Sequence, residues 1–217
     1  MKKTLTMAAV AATFAGMAVA TIETTNVGGY LEKSGDKSLV CNPFNGTGTI
    51  ADIGGLGSGD SGTTVYLVSD TGTATAYEWD GSKWINATTR ADASATTLAR
   101  GQGFQLSGNK TVAVSGVVTE GNVQASVVKG NNFYGNAAPV AKSLANLTIA
   151  NFNADRGDYV RVGSSKYVIS GGKWYERSNY LSADNPTEVS VSLAAGEGIV
   201  IYRKLAASTT ATLPGSL

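Results

Sequence analysis

The chain has 217 residues, a formal net charge of +1, 15% charged residues and no histidine. The nearly balanced charge gives no positive potential that would attract nucleic acid. The lack of histidine excludes catalysis by imidazole and metal sites with histidine ligands. The 27 glycines exceed the average usage of roughly 7%. Together with abundant threonine, valine and tyrosine, they predict an all-β protein with many tight turns. The charge balance predicts no nucleic-acid partner.

The first 20 residues have the pattern of an export signal. Residues 1–3 are a short cationic start typical of bacterial leaders, and residues 5–20 are apolar or small and end in Ala-Val-Ala. A membrane anchor is the alternative, but the run is shorter than the roughly 20 apolar residues of a spanning helix, and Thr6 and Thr13 interrupt it. We predict a cleaved signal peptide over residues 1–20, no later transmembrane segment, and a protein secreted to the extracellular space or cell surface of a bacterium.

The rest of the chain consists of short extended segments. In the first half, the strands predicted in chain order lie at residues 21–33, 38–44, 64–68, 77–84, 98–104 and 111–116. Their counterparts in the second half lie at residues 119–129, 132–139, 158–162, 167–174, 193–199 and 211–215. About six or seven short strands per half, at roughly ten-residue spacing, are typical of a β-sandwich or a small barrel.

One hairpin pattern occurs in both halves. Residues 77–84 and 167–174 each begin with tyrosine, pass through a turn that contains glycine, and end in Lys-Trp. Each is followed by Leu-x-x-Gly-x-Gly, at residues 98–103 and 193–198, where the glycines suit a turn that requires positive φ. A repeated hairpin with its following strand predicts an internal duplication.

The duplication predicts two tandem β modules after the signal peptide, over residues 21–118 and 119–217. The connection between them is very short, which predicts a nearly fixed relation between the modules and allows a shared sheet face.

Two further segments test the match between the copies. Residues 49–53 match residues 148–152 almost residue for residue, and the segment is too short for periodicity to distinguish a strand from a helical turn. Residues 54–62 are rich in glycine and have no counterpart, so we interpret them as a flexible loop inserted in the first copy.

Cys41 is the only cysteine, so no disulfide forms within the chain. The favoured interpretation is a small buried residue, because Leu39 and Val40 precede it. The alternative is a free thiol that forms a disulfide with a second molecule. Because no disulfide forms within the chain, the fold must be held together by its apolar cores.

The sequence predicts no catalytic residue, no metal site and no cofactor. A pair of carboxylates could act as a glycosidase dyad, but acidic residues in turns are ordinary surface residues. The acids considered are Asp52, Asp60, Glu78, Asp80, Asp155 and Asp158. We therefore predict that the protein is not an enzyme.

Trp84 and Trp174 stand at the same place in the two hairpins. The favoured interpretation is that each fills the core of its module, since a large ring dominates the burial of a small domain. The alternative is a ligand-binding role in which these rings lie exposed and stack on a sugar. Tyr175 and Tyr180 would extend that surface in the second module.

The first copy carries five motifs, at residues 27–30 (Val-Gly-Gly-Tyr), 42–43 (Asn-Pro), 77–84, 98–104 and 114–116 (Val-Ser-Gly). In this combination it resembles a recurring β-rich module of uncharacterised secreted bacterial proteins. The second copy departs from that pattern, because it lacks Gly-Tyr and has Ala-Pro in place of Asn-Pro. The resemblance implies a secreted β fold and brings no catalytic residue with it.

Two functions remain open from the sequence. Polar, threonine-rich strands leave sheet edges that can pair with another copy, and the segments from Thr21 and over residues 205–217 could add to a neighbouring sheet. The first prediction is therefore a secreted structural or surface protein that self-associates into a homo-oligomer, filament or array. The alternative is a carbohydrate-binding or adhesive protein whose partners are extracellular glycans.

Overall fold

The computed structural model describes residues 27–35, 37–69, 72–108 and 110–215. The predicted signal peptide and the start of the first predicted strand, residues 21–26, lie outside the described residues. The remainder is an all-β chain, as predicted, with a single short α-helix among its described elements. Within the described part of the chain, no helix is long and apolar enough to cross a membrane.

The strands fall into two groups along the chain. The N-terminal group consists of β1 (Val27–Ser34), β2 (Leu39–Cys41), β3 (Ile53–Gly54), β4 (Thr64–Val68), β5 (Ala74–Trp79), β6 (Trp84–Asn86), β7 (Gly103–Ser107) and β8 (Thr111–Val118). The C-terminal group consists of β9 (Val123–Val127), β10 (Gly130–Gly135), β11 (Lys142–Ser143), β12 (Thr148–Ile149), β13 (Tyr159–Val162), β14 (Ser165–Ser170), β15 (Lys173–Glu176), α1 (Arg177–Ser182), β16 (Ser192–Leu193), β17 (Gly198–Arg203) and β18 (Thr209–Leu213).

Both groups pair their strands in the same order. The N-terminal group forms a three-stranded sheet, β1-β8-β3, and a five-stranded sheet, β2-β7-β4-β5-β6. The C-terminal group forms β9-β18-β12 and β10-β17-β13-β14-β15, with a small β11-β16 ribbon besides. All of these pairs are antiparallel, for example β1 with β8 and β9 with β18. The matched orders support the predicted duplication, which stays an inference.

Each group packs its two sheets around its own core, in the manner of a sandwich. On β4, Val65 and Leu67 are buried while the residues between and beside them face outward, as the period of two in a strand requires. Val114 of the three-stranded sheet joins them in the N-terminal core. In the C-terminal core, Ile201 of β17 meets Ala211 of β18 in the same way.

The sequence match between residues 49–53 and 148–152 is wrong as a structural equivalence. The 3-10 turn Ile50–Asp52 precedes β3, and the 3-10 turn that precedes β12 is Leu144–Asn146. In both, the first backbone N–H donates to the segment before the Gly-x-Gly turn, to the carbonyl of Thr96 in one group and of Val191 in the other. The equivalent sequences are therefore Ile-Ala-Asp-Ile and Leu-Ala-Asn-Leu, whose apolar ends are all buried.

The glycine-rich segment over residues 54–62, which the sequence predicted to be a flexible inserted loop, is anchored rather than loose. Its backbone carbonyl at Gly57 accepts a hydrogen bond from the indole of Trp79 at 2.9 Å. Asp60 accepts from the Gly57 backbone N–H at 2.9 Å and pairs with Lys110 at 2.7 Å. The prediction of an insertion is wrong, because nine residues, 55–63, connect β3 to β4 and nine residues, 150–158, connect β12 to β13. The side chains of Trp79 on β5 and of Lys110 hold the loop in place.

Reciprocal contacts join the two groups. Val40 of β2 bridges to Glu197, just before β17, and Tyr134 of β10 bridges to Gln102, just before β7. Each Gly-x-Gly turn therefore docks on the second strand of the other group, which is the self-complementary arrangement of a two-fold interface. Arg100 adds a contact that only one side has, donating to the carbonyls of Ala137 at 3.1 Å and Gly215 at 2.6 Å.

Glycine makes this close approach of backbones feasible. A Cβ atom on Gly103 would lie 2.9 Å from the carbonyl carbon of Phe133, and one on Gly198 would lie 2.7 Å from that of Leu39. Real Cβ atoms do not approach backbone so closely, so the junction requires glycine at the second glycine position of each Leu-x-x-Gly-x-Gly motif. The motif therefore serves packing between the groups as well as the turn itself.

Cys41 lies at this junction and is fully buried, so its interpretation as a small core residue is confirmed. Burial raises the pKa of its thiol well above the ordinary range, which suppresses the reactive thiolate. We expect the folded chain to resist labelling by Ellman's reagent at pH 8, and to react fully once guanidinium unfolds it. Rapid labelling without denaturant would contradict the burial of this side chain.

Candidate ligand-binding face

The structure buries both tryptophans that the sequence singled out. The exposed fraction is 1% for Trp84 and 4% for Trp174, and the Trp84 indole donates to the Ile53 carbonyl at 3.1 Å. Trp79 packs its edge on Trp84 with the ring centroids 5.6 Å apart. The core interpretation of Trp84 and Trp174 is confirmed, and neither ring lies on a flat exposed face where a sugar could stack.

Tyr175 and Tyr180 are brought together on the surface of the C-terminal group. Both are half-buried, and their ring centroids lie 5.6 Å apart at a tilt of 42°. The Tyr180 hydroxyl lies 3.3 Å from both the Ser170 hydroxyl and the Asp155 carboxylate. Tyr175 sits on β15 and Tyr180 on α1, a six-residue helix too short to leave a periodic signal in the sequence.

Two tyrosines that the sequence did not single out lie on the same outer face. The Tyr159 and Tyr202 rings stack with centroids 4.8 Å apart and an interplanar angle of 16°. Val160 and Ile201, their chain neighbours, point into the C-terminal core. Because side chains alternate along a strand, Tyr159 and Tyr202 must point away from that core.

The strand register lines these tyrosines up across the sheet. Tyr202 on β17 pairs with Tyr159 on β13, and the pair Val160 with Tyr167 sets Val168 of β14 across from Tyr159. Val168 in turn pairs with Tyr175 on β15. We call Tyr202, Tyr159, Tyr175 and the neighbouring Tyr180 the tyrosine row.

Three cations accompany the tyrosine row. The Lys166 amine lies 4.9 Å and the Arg177 guanidinium 5.8 Å from the centroid of the Tyr159 ring, within the range of cation–π attraction. Arg161 pairs with Lys166 in the strand register, so both point to the outer face. The Nε of Arg177 is buried without a hydrogen-bond partner in the described structure, and such an atom is rare unless it serves a further contact.

Among the described residues of the N-terminal group there is no such surface. Its pairing order places Ser107, Thr64, Glu78 and Ile85 at the positions of Tyr202, Tyr159, Val168 and Tyr175. The two groups therefore resemble each other in their cores and in their junction contacts but differ on this face. A stacking surface in one group alone is not required by the fold, because the other group folds without it.

A groove runs beside the tyrosine row at the junction between the groups. It encloses about 640 Å³ and is lined by Lys33, Lys37, Gln105, Arg161, Glu197 and others of the adjoining strands. Arg161 belongs both to this groove and to the outer face. Glu197 is the one acidic side chain among the described lining residues, and its carboxylate already accepts a hydrogen bond from the Ala194 backbone N–H at 2.7 Å.

Turn length explains why the groove is open on one side of the reciprocal junction. The turn between β13 and β14 contains only Gly163 and Ser164. The matching turn between β4 and β5 is longer, spanning residues 69–73, and a Cβ on its Gly72 would lie 3.2 Å from the Lys129 carbonyl. Gly72 of the longer turn thus packs on the connection between β9 and β10, whereas the shorter turn leaves the space beside the equivalent connection, between β1 and β2, free.

Of the acids considered for catalysis, only Asp155 contacts the tyrosine row within the described structure, through the Tyr180 hydroxyl. Asp52 and Asp80 accept backbone N–H groups in turns, and Glu78 pairs with Arg90 at 3.0 Å. Asp158 is buried against Arg203. In the described residues no cluster of three acidic or cysteine side chains could hold a metal ion.

Comparisons of the chain with protein-family models, with curated proteins and with solved structures found no match.

Proposed function

We propose that the protein is an exported carbohydrate-binding protein that takes its ligand on the tyrosine row. The observation that carries this proposal is that Tyr159, Tyr175 and Tyr202 line one sheet face, where the equivalent positions of the other group hold Thr64, Ile85 and Ser107.

The chemistry of a sugar ring suits such a face. The C–H groups of a pyranose carry partial positive charge and pack on the negative faces of aromatic rings, while its hydroxyls need hydrogen-bond partners at the rim. The tyrosine hydroxyls and the guanidinium groups of Arg161 and Arg177 provide those partners. A mostly preformed sheet surface also keeps the entropy cost of binding low.

The proposal is tested by affinity electrophoresis through gels that contain xylan, pectin, alginate or dextran. We expect at least one polysaccharide to retard the wild-type chain. Tyr159→Ala and Tyr202→Ala should each weaken that binding by about tenfold, since truncating an aromatic anchor costs more than 1 kcal/mol. Tyr202→Phe should retain most of the binding if stacking provides it.

Tyr66→Ala is the matched control, because Tyr66 is 37% exposed on the outer face of the N-terminal sheet. It should bind as the wild type does. Circular dichroism and thermal melting would establish that each variant folds. Equal retardation of the wild type and both tyrosine variants, or no retardation in any gel, would contradict the proposal.

Self-association, the first prediction from the sequence, is a second candidate with one observation in its favour. The eight residues of β1 pair with β8 on one side, and among the described residues no strand pairs with the other side. Long edge strands invite pairing with a second copy. Such pairing, β1 to β1 between copies, would make the protein a structural or surface subunit.

Sedimentation velocity and negative-stain microscopy of the mature chain test this candidate. If β1 mediates assembly, Tyr30→Lys should dissociate the oligomer, because Tyr30 is 64% exposed on that strand and two lysines would face each other there. Tyr66→Lys, on a strand paired on both sides, is the control. Monomers at every salt and protein concentration would exclude assembly.

A further inference from the structure

We propose that the carbohydrate is acidic, and that its chain runs from the tyrosine row across Arg161 into the junction groove. This inference rests on the proposed function, because it assigns the ligand class and the path at the same site. Its ligand is a polysaccharide that carries carboxylate or sulfate groups.

Positively charged side chains line both the groove and the tyrosine row. Lys33, Lys37 and Arg161 all line the groove, and in the described part of the chain none of the three forms an ion pair. Lys166 and Arg177 extend the positive charge along the tyrosine row. Uncompensated cations on both sides of a concave surface favour an anionic ligand through complementary potential.

The geometry makes the two surfaces continuous. Arg161 on β13 pairs with Val200 on one side and with Lys166 on the other. It follows Tyr159 by two residues and therefore lies on the same face of the sheet. The groove is lined by Arg161, by Gly198, and by Lys33 and Ser34 at the end of β1. Because Arg161 belongs to both surfaces, an extended chain on Tyr202 and Tyr159 that crosses Arg161 would enter the groove that the two lysines line.

The asymmetry of the junction indicates that the path is specific. At the reciprocal position, Tyr66 corresponds to Arg161, and Gly72 of the longer turn between β4 and β5 packs against the backbone of Lys129, between β9 and β10. The chain thus has one open, cationic side and one filled side. Only the open side adjoins the tyrosine row.

The test compares probes that differ only in charge. Polygalacturonate and its methyl ester share one backbone, and dextran sulfate and dextran form a second such pair. We expect the wild-type chain to bind the acidic member of at least one pair more than tenfold more tightly at low salt, and the preference to shrink as salt screens the charges. The two pairs distinguish carboxylate from sulfate as the group recognised.

Variants in the groove test its contribution to binding separately from that of the tyrosine row. The double variant Lys33→Gln/Lys37→Gln and the single variant Arg161→Gln should weaken binding of the acidic probe by about fivefold or more, since each exposed ion pair is worth up to about 1 kcal/mol. Lys129→Gln, on the filled side, should bind as the wild type does. These are surface changes, so thermal melting should not move.

The outcomes distinguish this inference from the function on which it rests. If the tyrosine variants lose binding while the lysine and Arg161 variants keep it, or if the methyl ester binds as well as the acid, the acidic-ligand inference fails and carbohydrate binding stands. If the tyrosine variants also keep binding, both fail. Tighter binding of an oligothymidylate through the same residues would replace carbohydrate with single-stranded nucleic acid as the ligand.

Discussion

Replacing Trp84 by alanine is expected to lower the free energy of unfolding by about 3–5 kcal/mol, the ordinary cost of removing a large buried aromatic ring. The indole is 1% exposed, packs against the edge of Trp79 and donates a hydrogen bond to the Ile53 carbonyl. A small domain has a total stability of about 5–15 kcal/mol, so this single change removes a large part of it. Guanidinium unfolding followed by far-ultraviolet circular dichroism measures the loss.

Trp174→Ala should cost a similar amount, because the ring is 4% exposed in the C-terminal core and contacts Phe152 at a centroid distance of 6.4 Å. Trp84→Phe is the milder variant if the alanine variant does not fold, since it keeps most of the apolar volume. A loss below about 1 kcal/mol for both alanine variants would contradict core burial. Loss of glycan binding with stability unchanged would instead favour the exposed-ring alternative.

Local turn chemistry made the hairpins predictable from the sequence. Asp80 and Gly81 form the first turn, where the Asp80 carboxylate accepts the backbone N–H groups of Ser82 and Lys83. Gly171 and Gly172 form the second, both with positive φ. Because such turns are encoded within a few residues, the flanking strands and their tryptophans could be placed without knowledge of the rest of the chain.

The junction and the tyrosine row could not be predicted in this way. Tyr159 and Tyr202 belong to strands that are far apart in sequence, and only the pairing of β13 with β17 brings their rings together. Single-residue burial patterns mark them as outward-facing at most. The reciprocal docking of Val40 on Glu197 is likewise a contact between separate sheets, which no local signal carries.

The mismatch of residues 49–53 shows how similarity within a short segment of sequence can mislead. The sequences Thr-Ile-Ala-Asp and Thr-Ile-Ala-Asn are nearly identical, yet the structure equates the first with the turn at Leu144–Asn146. Burial of the apolar ends and the hydrogen bonds to Thr96 and Val191 decide the equivalence. Three identical residues have less physical weight than two buried side chains and one backbone hydrogen bond.

The second large effect is expected at a buried charge pair of the C-terminal group. Asp158 and Arg203 are 0% and 4% exposed in their side chains, with Oδ2 and Nη1 3.7 Å apart. The Asp158 carboxylate accepts backbone N–H groups of Asn153 and Lys204, and Arg203 donates to the carbonyl of Ala207 at 2.8 Å. Asp158→Ala leaves the guanidinium buried without its counter-charge, so we expect a loss of about 3–5 kcal/mol of unfolding free energy.

The exposed ion pairs of the two hairpins provide the contrast. Lys83 with Asp92 and Lys173 with Glu188 occupy equivalent places and are both 3.0 Å long, with side chains about half exposed. Glu188→Gln should therefore change stability by less than about 1 kcal/mol, because water screens the pair and its loss exposes no buried charge. The double variant Asp158→Ala/Arg203→Met should recover part of the loss of Asp158→Ala, since it removes the stranded charge. If Asp158→Ala and Glu188→Gln cost the same in guanidinium unfolding, burial does not govern the strength of the Asp158–Arg203 pair.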